Sequence, residues 1–119
     1  MPQIDLTPLK EIDGFVAAAL IDLDSGVAMY TIGNEALDLD RAAACNSQVY
    51  RAKKELLDTL EPDQRVEDLI ITLERRYHFL RPLGEHDEIC LYLVLDRSLA
   101  NLAMARRALR IFESELQYG

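Results

Sequence analysis

Residues 15–32 read FVAAALIDLDSGVAMYTI, and the way this stretch folds decides the architecture. Phe15 to Leu23 is apolar at both odd and even positions, which predicts a central strand covered on both faces. Ala17, Ala18 and Ala19 are small enough to let helices pack closely onto it. Asp24-Ser25-Gly26 supplies turn chemistry, and Val27 to Ile32 returns as a second strand that Gly33-Asn34 stops. The stretch is a β-hairpin.

Outward from the hairpin, the chain alternates helices and strand groups. Before it, Thr7-Pro8 opens a short helix, with Thr7 as its cap, Leu9 and Ile12 on its inner face, and Asp13-Gly14 as its stop. After it, Leu37 to Leu60 forms a long helix. Ala42, Cys45, Val49, Ala52, Leu56 and Leu60 make one apolar stripe, and Leu39, Ala43, Asn46, Tyr50 and Leu57 make a flank beside it. The apolar or small surface is therefore wider than one contact with a sheet requires. Glu61-Pro62-Asp63 ends the helix. Val66 to Glu74, Tyr77 to Leu83 and Ile89 to Leu95 follow as three more strands, turning at Arg75-Arg76 and through a polar loop, Gly84 to Glu88. A closing helix is capped by Asp96 or Ser98 and carries the stripe Leu99, Leu102, Ala105, Leu109, Phe112 and Leu116. The order α-β-β-α-β-β-β-α, with short turns inside each strand group, predicts an α+β fold whose antiparallel sheet lies between helices.

Composition narrows the function. At 119 residues the chain fits one domain, 1–119, and half of its residues are apolar. The apolar runs fall well short of the about 20 residues that span a bilayer, so no membrane insertion is expected. The start, Met1 to Asp5, lacks the basic and apolar pattern of a secretory signal, and Cys45 and Cys90 read as buried free thiols; both features point to the cytoplasm. A formal charge of −8 opposes non-specific binding to nucleic acid.

The order and spacing of several local patterns resemble the roadblock/LC7 domain family from Leu6 to Leu116. They are the leading helix ending at Gly14, the small-residue strand Val16 to Leu20 and the acidic turn Asp22 to Gly26. The Ala42-Ala43-Ala44 helix and the strand Leu91 to Leu95 running into an Ala/Arg helix complete the set. The resemblance implies a five-stranded antiparallel sheet of order 2-1-5-4-3, with the long helix on one face and the terminal helices on the other. It also implies a homodimer joined through the third strand and the long helices, and a non-enzymatic role as partner or regulator of a small Ras-like GTPase.

The residues support the dimer in one respect of their own. Leu69, Ile70, Ile71 and Leu73 make an apolar strand that would lie at a sheet edge, where unpaired backbone invites a second chain. With the flank Leu39, Ala43, Asn46, Tyr50 and Leu57 they form the expected dimer interface, closed by a two-fold contact. Arg41, Arg51, Lys53 and Lys54 on the long helix are the expected docking cations for a partner.

Other chemistry has simpler explanations. No phosphate-binding glycine loop is present, so the chain is not expected to be the GTPase itself, and no cofactor is expected. A Cys/His pair could be drawn from Cys45 or Cys90 with His78 or His86, but buried thiols are common core residues. Glu85 to Glu88 reads as a solvated loop rather than a metal site, and Asp22 with Asp24 as turn formers rather than a catalytic pair. Arg106, Arg107 and Arg110 read as the polar face of the last helix. The competing function is a small-molecule sensor with a pocket between the sheet and the long helix.

Overall fold

A computed structural model describes residues 4–34, 36–83 and 86–116, without the side chains of His86 and Asp87. A 3-10 helix, Thr7–Glu11, leads into β1 (Phe15–Asp22), β2 (Val27–Gly33), α1 (Leu39–Leu60), β3 (Leu69–Thr72), β4 (Arg76–Leu83), β5 (His86–Asp96) and α2 (Leu102–Glu115). The strands form one antiparallel sheet of order β2-β1-β5-β4-β3. The expected topology is therefore the observed one.

The two faces of the sheet bury separate cores. On one face Ala18, Leu20, Phe79, Leu91, Leu93 and Leu95 pack against Leu6 and Leu9 of the leading segment and Ala105, Leu109 and Phe112 of α2. On the other, Ala19, Ile21, Leu80, Cys90, Tyr92 and Val94 pack against Ala43 and Tyr50 of α1. β1 and β5 have apolar side chains on both sides because both sides are covered, as the sequence predicts.

Capping chemistry sets the element ends. Asp38 Oδ1 accepts from the Arg41 amide at 3.0 Å, and Asn101 Oδ1 accepts from the Met104 amide at 3.0 Å. Asn101, not Asp96 or Ser98, therefore opens α2; those two hold a turn of their own, and Leu99 is exposed outside the stripe. The leading helix is a single 3-10 turn without a side-chain cap. Thr7 instead donates its amide to Asp5 Oδ1 at 2.9 Å. The third strand is also shorter than the expected Val66 to Glu74, with four paired residues.

Two glycines carry the hairpin. Gly26 has φ +73° and donates its amide to the Asp22 carbonyl, while Asp22 Oδ1 accepts from Asp24 and Ser25. Turn formation thus accounts for the acidic pair. Gly33, at φ +114°, lies so close to β1 that an added Cβ would sit 2.5 Å from the Val16 carbonyl oxygen. Gly26→Ala should cost about 1 kcal/mol for its backbone conformation alone. Gly33→Ala should cost more, because β1 backbone must also move, and urea denaturation of the two variants checks the order.

A candidate interaction surface at the sheet edge and the long helix

Among the described residues β3 pairs only with β4, so its other edge is open. Leu69 is half-buried against the α1 core, whereas Ile70, Ile71 and Leu73 are 36%, 37% and 41% exposed. Ile71 pairs with His78, beside Leu80 in β4, so the alternation of the strand puts Leu69 and Ile71 on the side of the sheet that α1 covers. The expected apolar edge is present.

The long helix is rotated relative to expectation. Ala43, Ser47 and Tyr50 are its buried residues, and Leu39, Asn46 and Leu57 are half-buried. Asn46 hydrogen-bonds Tyr92 of β5, which fixes that side of the helix toward the sheet. Ala43 and Tyr50 are thus corrected from a dimer surface to an internal contact, while Leu39, Asn46 and Leu57 of the same flank keep part of their surface. The stripe expected to be internal faces outward instead: Val49, Leu56 and Leu60 are 44%, 46% and 66% exposed, and Cys45 and Ala52 are exposed with them. Only Ala42 of that stripe is half-buried against the core.

Polar groups decide this orientation. The Ser47 hydroxyl is buried, and it donates to the Ala43 carbonyl at 2.7 Å inside its own helix. The Tyr92 hydroxyl lies 3.2 Å from His78 Nδ1, with the two rings edge to face. Burial raises the Tyr92 phenol above its ordinary pKa, opposed in part by the Asn46 hydrogen bond. Burial, then the nearby charge of Arg76, holds His78 below the usual histidine value. The sheet floor under α1 therefore needs partners that an all-apolar stripe lacks.

The candidate docking cations divide. Arg41 and Lys53 are exposed. Arg51 is exposed too but tethered, donating Nη2 to the Leu23 carbonyl at 2.6 Å and tying α1 to the hairpin turn. Lys54 is half-buried and borders a hollow of about 170 Å³ shared with Tyr50, Leu57, Val66 and Pro82. That hollow is marginal; the space between sheet and α1 that a ligand pocket would need is filled by the Ala43 and Tyr50 core.

The cysteine reading resolves in part. Cys90 is buried, and desolvation pushes its thiol up to about 12. Cys45, expected in the core, is exposed because α1 turns that stripe outward. Among the described residues no group of His, Cys, Asp or Glu converges as a metal site. Gly84 and Glu85, with the side chains of His86 and Asp87, lie outside the described residues. Among those residues no helix is long and apolar enough to cross a membrane.

One buried ionic cluster has no counterpart in the sequence reading. Arg81 of β4 donates Nη1 to Asp68 and Nε to Glu113 of α2, each at 2.8 Å, and Arg106 of α2 donates Nε to the other Asp68 oxygen at 2.8 Å. Burial works against the Arg81 charge, but hydrogen bonds and charge from Glu113 and Asp68 outweigh it and raise its pKa further. An arginine within the apolar run Phe79 to Leu83 is the signal available in the sequence. Its partners lie 13 and 32 residues away, too far for local spacing to name them.

The same arrangement of sheet and helices recurs in solved structures. A roadblock/LC7 domain from Streptomyces avermitilis superposes with a TM-score of 0.78 over 91% of this chain and 87% of that one, at 17% identity. The chain has the roadblock/LC7 fold. Two further matches are an MglB with a tetrameric arrangement and the gliding protein MglB of Thermus thermophilus. The first has a TM-score of 0.74 and 23% identity over 90% of this chain and 77% of that one. The second has a TM-score of 0.66 and 25% identity over 92% and 85%. No protein-family model matches the chain, and no curated protein matches its sequence. The roadblock fold of this chain is thus carried by geometry at low sequence identity.

In the folded chain a thiol reagent should leave Cys90 unmodified and reach it only on unfolding, as peptide mapping after a timed pulse would read. Asp68→Ala should destabilise the fold by about 3 kcal/mol, because it removes one of the two carboxylates that compensate the buried Arg81 charge and leaves Glu113 as the other. Arg106→Ala, at a side chain 42% exposed, should cost about 1 kcal/mol or less in the same denaturation assay.

Proposed function

We propose that the chain is a non-catalytic homodimeric scaffold that binds and regulates a small Ras-like GTPase. The observation that carries the dimer is the open edge of β3, with Ile70, Ile71 and Leu73 exposed, together with the outward apolar stripe of α1. An unpaired strand edge and an apolar helix stripe are both costly in water. A two-fold axis beside β3 would pair the edge with its own copy and set the Val49, Leu56 and Leu60 stripes against each other. The interface of this proposal is therefore Leu69, Ile70, Ile71 and Leu73 with Cys45, Val49, Ala52, Leu56 and Leu60, in place of the helix flank expected from sequence.

The GTPase part rests on the roadblock resemblance. The exposed cations Arg41 and Lys53 belong to the same helix, so they would lie beside the joined helices and suit an acidic partner surface. Nothing in the two cores favours the sensor reading over this one.

Sedimentation equilibrium at micromolar concentration should give a dimer, and Val49→Asp with Ile71→Lys should give a folded monomer. A monomeric parent chain would overturn the dimer. Pulldown of Ras-like GTPases from the same genome, loaded with GDP or with a non-hydrolysable GTP analogue, tests the partner. Recovery of none in either state would remove that half of the proposal and leave the dimer standing.

A further inference from the structure

α2 carries two apolar stripes, and the sheet uses one of them. Ala105, Leu109 and Phe112 are buried in the core, whereas Met104, Ala108 and Ile111 follow one another at helical spacing on a second line. Met104 is 62% exposed and Ile111 47%. The second stripe forms one wall of a groove of about 310 Å³, and Pro8 and Ile12 of the leading segment form the other, with Leu9 and Phe112 contributing to its floor. This groove lies on the α2 side of the sheet, opposite the face covered by α1, and is separate from the proposed dimer surface.

The rim has one sign of charge. Glu11 and Asp13 border the groove on the leading segment and Glu115 borders it on α2, while no lysine or arginine lines it. Among the described residues none of these three carboxylates is in an ion pair. Arg106, the basic residue of α2 that does have partners, turns away to Asp68 and Glu67. An apolar trough between a helix and a short turn, rimmed by carboxylates, suits an amphipathic helix that lays apolar anchors into it and presents basic residues to its edges. A methionine on the wall adds a side chain that adapts to differently shaped anchors.

We infer that the groove between the leading 3-10 helix and α2 is a second docking site, which takes an amphipathic helical segment of a partner carrying lysine or arginine beside its apolar face. This site is independent of the GTPase reading and of the dimer. The chain would then be a two-sided scaffold, with one surface at the sheet edge and α1 and another on the opposite face. An acidic rim on a chain of net charge −8 disfavours a second copy of the same chain as occupant.

The test uses the full chain and a fluorescent peptide of about four helical turns with leucines at i, i+4 and i+7 and lysines elsewhere. Anisotropy should show saturable binding, weaker for a peptide of the same composition with its periodicity scrambled, and absent when the lysines are replaced by glutamate. Met104→Glu and Ile111→Glu make the chain more acidic, so they would strengthen a purely electrostatic attraction. A seated apolar face predicts the reverse, a loss of roughly tenfold or more in affinity. Glu11→Lys with Glu115→Lys should move the preference toward the glutamate peptide. The proposal is overturned by equal binding of the scrambled peptide, by unchanged or tighter binding to the glutamate variants, or by no binding at all. It is overturned equally if Met104→Glu abolishes self-association, which would assign the groove to a second copy.

Discussion

The pairing of β1 with β5 is the contact on which the rest of the fold depends. It joins residues 15–22 to residues 89–95, across most of the chain, and every other strand pair is a local hairpin added to one side or the other. Both strands are apolar on both faces, so neither can sit in water on either side. One face must be closed by α1 and the other by α2 with the leading turn. Once the two helical layers are assigned, β2 and β3 are left as edges. The open apolar edge at β3 follows from the burial demanded at the centre.

The same demand explains why α1 turns as it does. A helix with one apolar stripe has one way to face a sheet, but α1 has a mixed side and a purely apolar side. The mixed side wins because the sheet beneath it is not purely apolar: Tyr92 and His78 present a hydroxyl and a ring nitrogen. Asn46 answers Tyr92, and Ser47 satisfies its own hydroxyl within the helix. Burying the all-apolar side instead would take Asn46 away from the Tyr92 hydroxyl and put an apolar side chain against it. Stability inside the subunit thus leaves the stickier side outside.

What is legible in the sequence is pattern over short range. The hairpin at Asp24 to Gly26, the doubly apolar strands and the extent of α1 all rest on neighbours within a few residues. The strand order comes from the family resemblance and is observed. What stays hidden is competition between two acceptable choices and contacts over long range. The two stripes of α1 cannot be ranked without knowing that Tyr92 lies beneath one of them, and the exposure of Cys45 depends on the same ranking. Arg51 looks like a free cation because its acceptor, the Leu23 carbonyl, is a backbone atom that no side-chain pattern announces. The third strand is shorter than the expected Val66 to Glu74 because Asp68 is engaged by Arg81 and Arg106 instead of a ladder.

That engagement bears on how a four-residue strand keeps its place. Slipping β3 by one residue would exchange its inner and outer side chains, sending Leu69 and Ile71 to the opposite face. A strand this brief, with solvent on one side, has little ladder of its own to resist such sliding. Asp68 stands immediately before it, and its carboxylate is gripped from β4 and from α2 at once. Sliding would tear that carboxylate from two arginines, one of them out of reach of water. The carboxylate works as a peg in a slotted rail, so that whatever meets the open margin of the sheet finds its side chains already in phase.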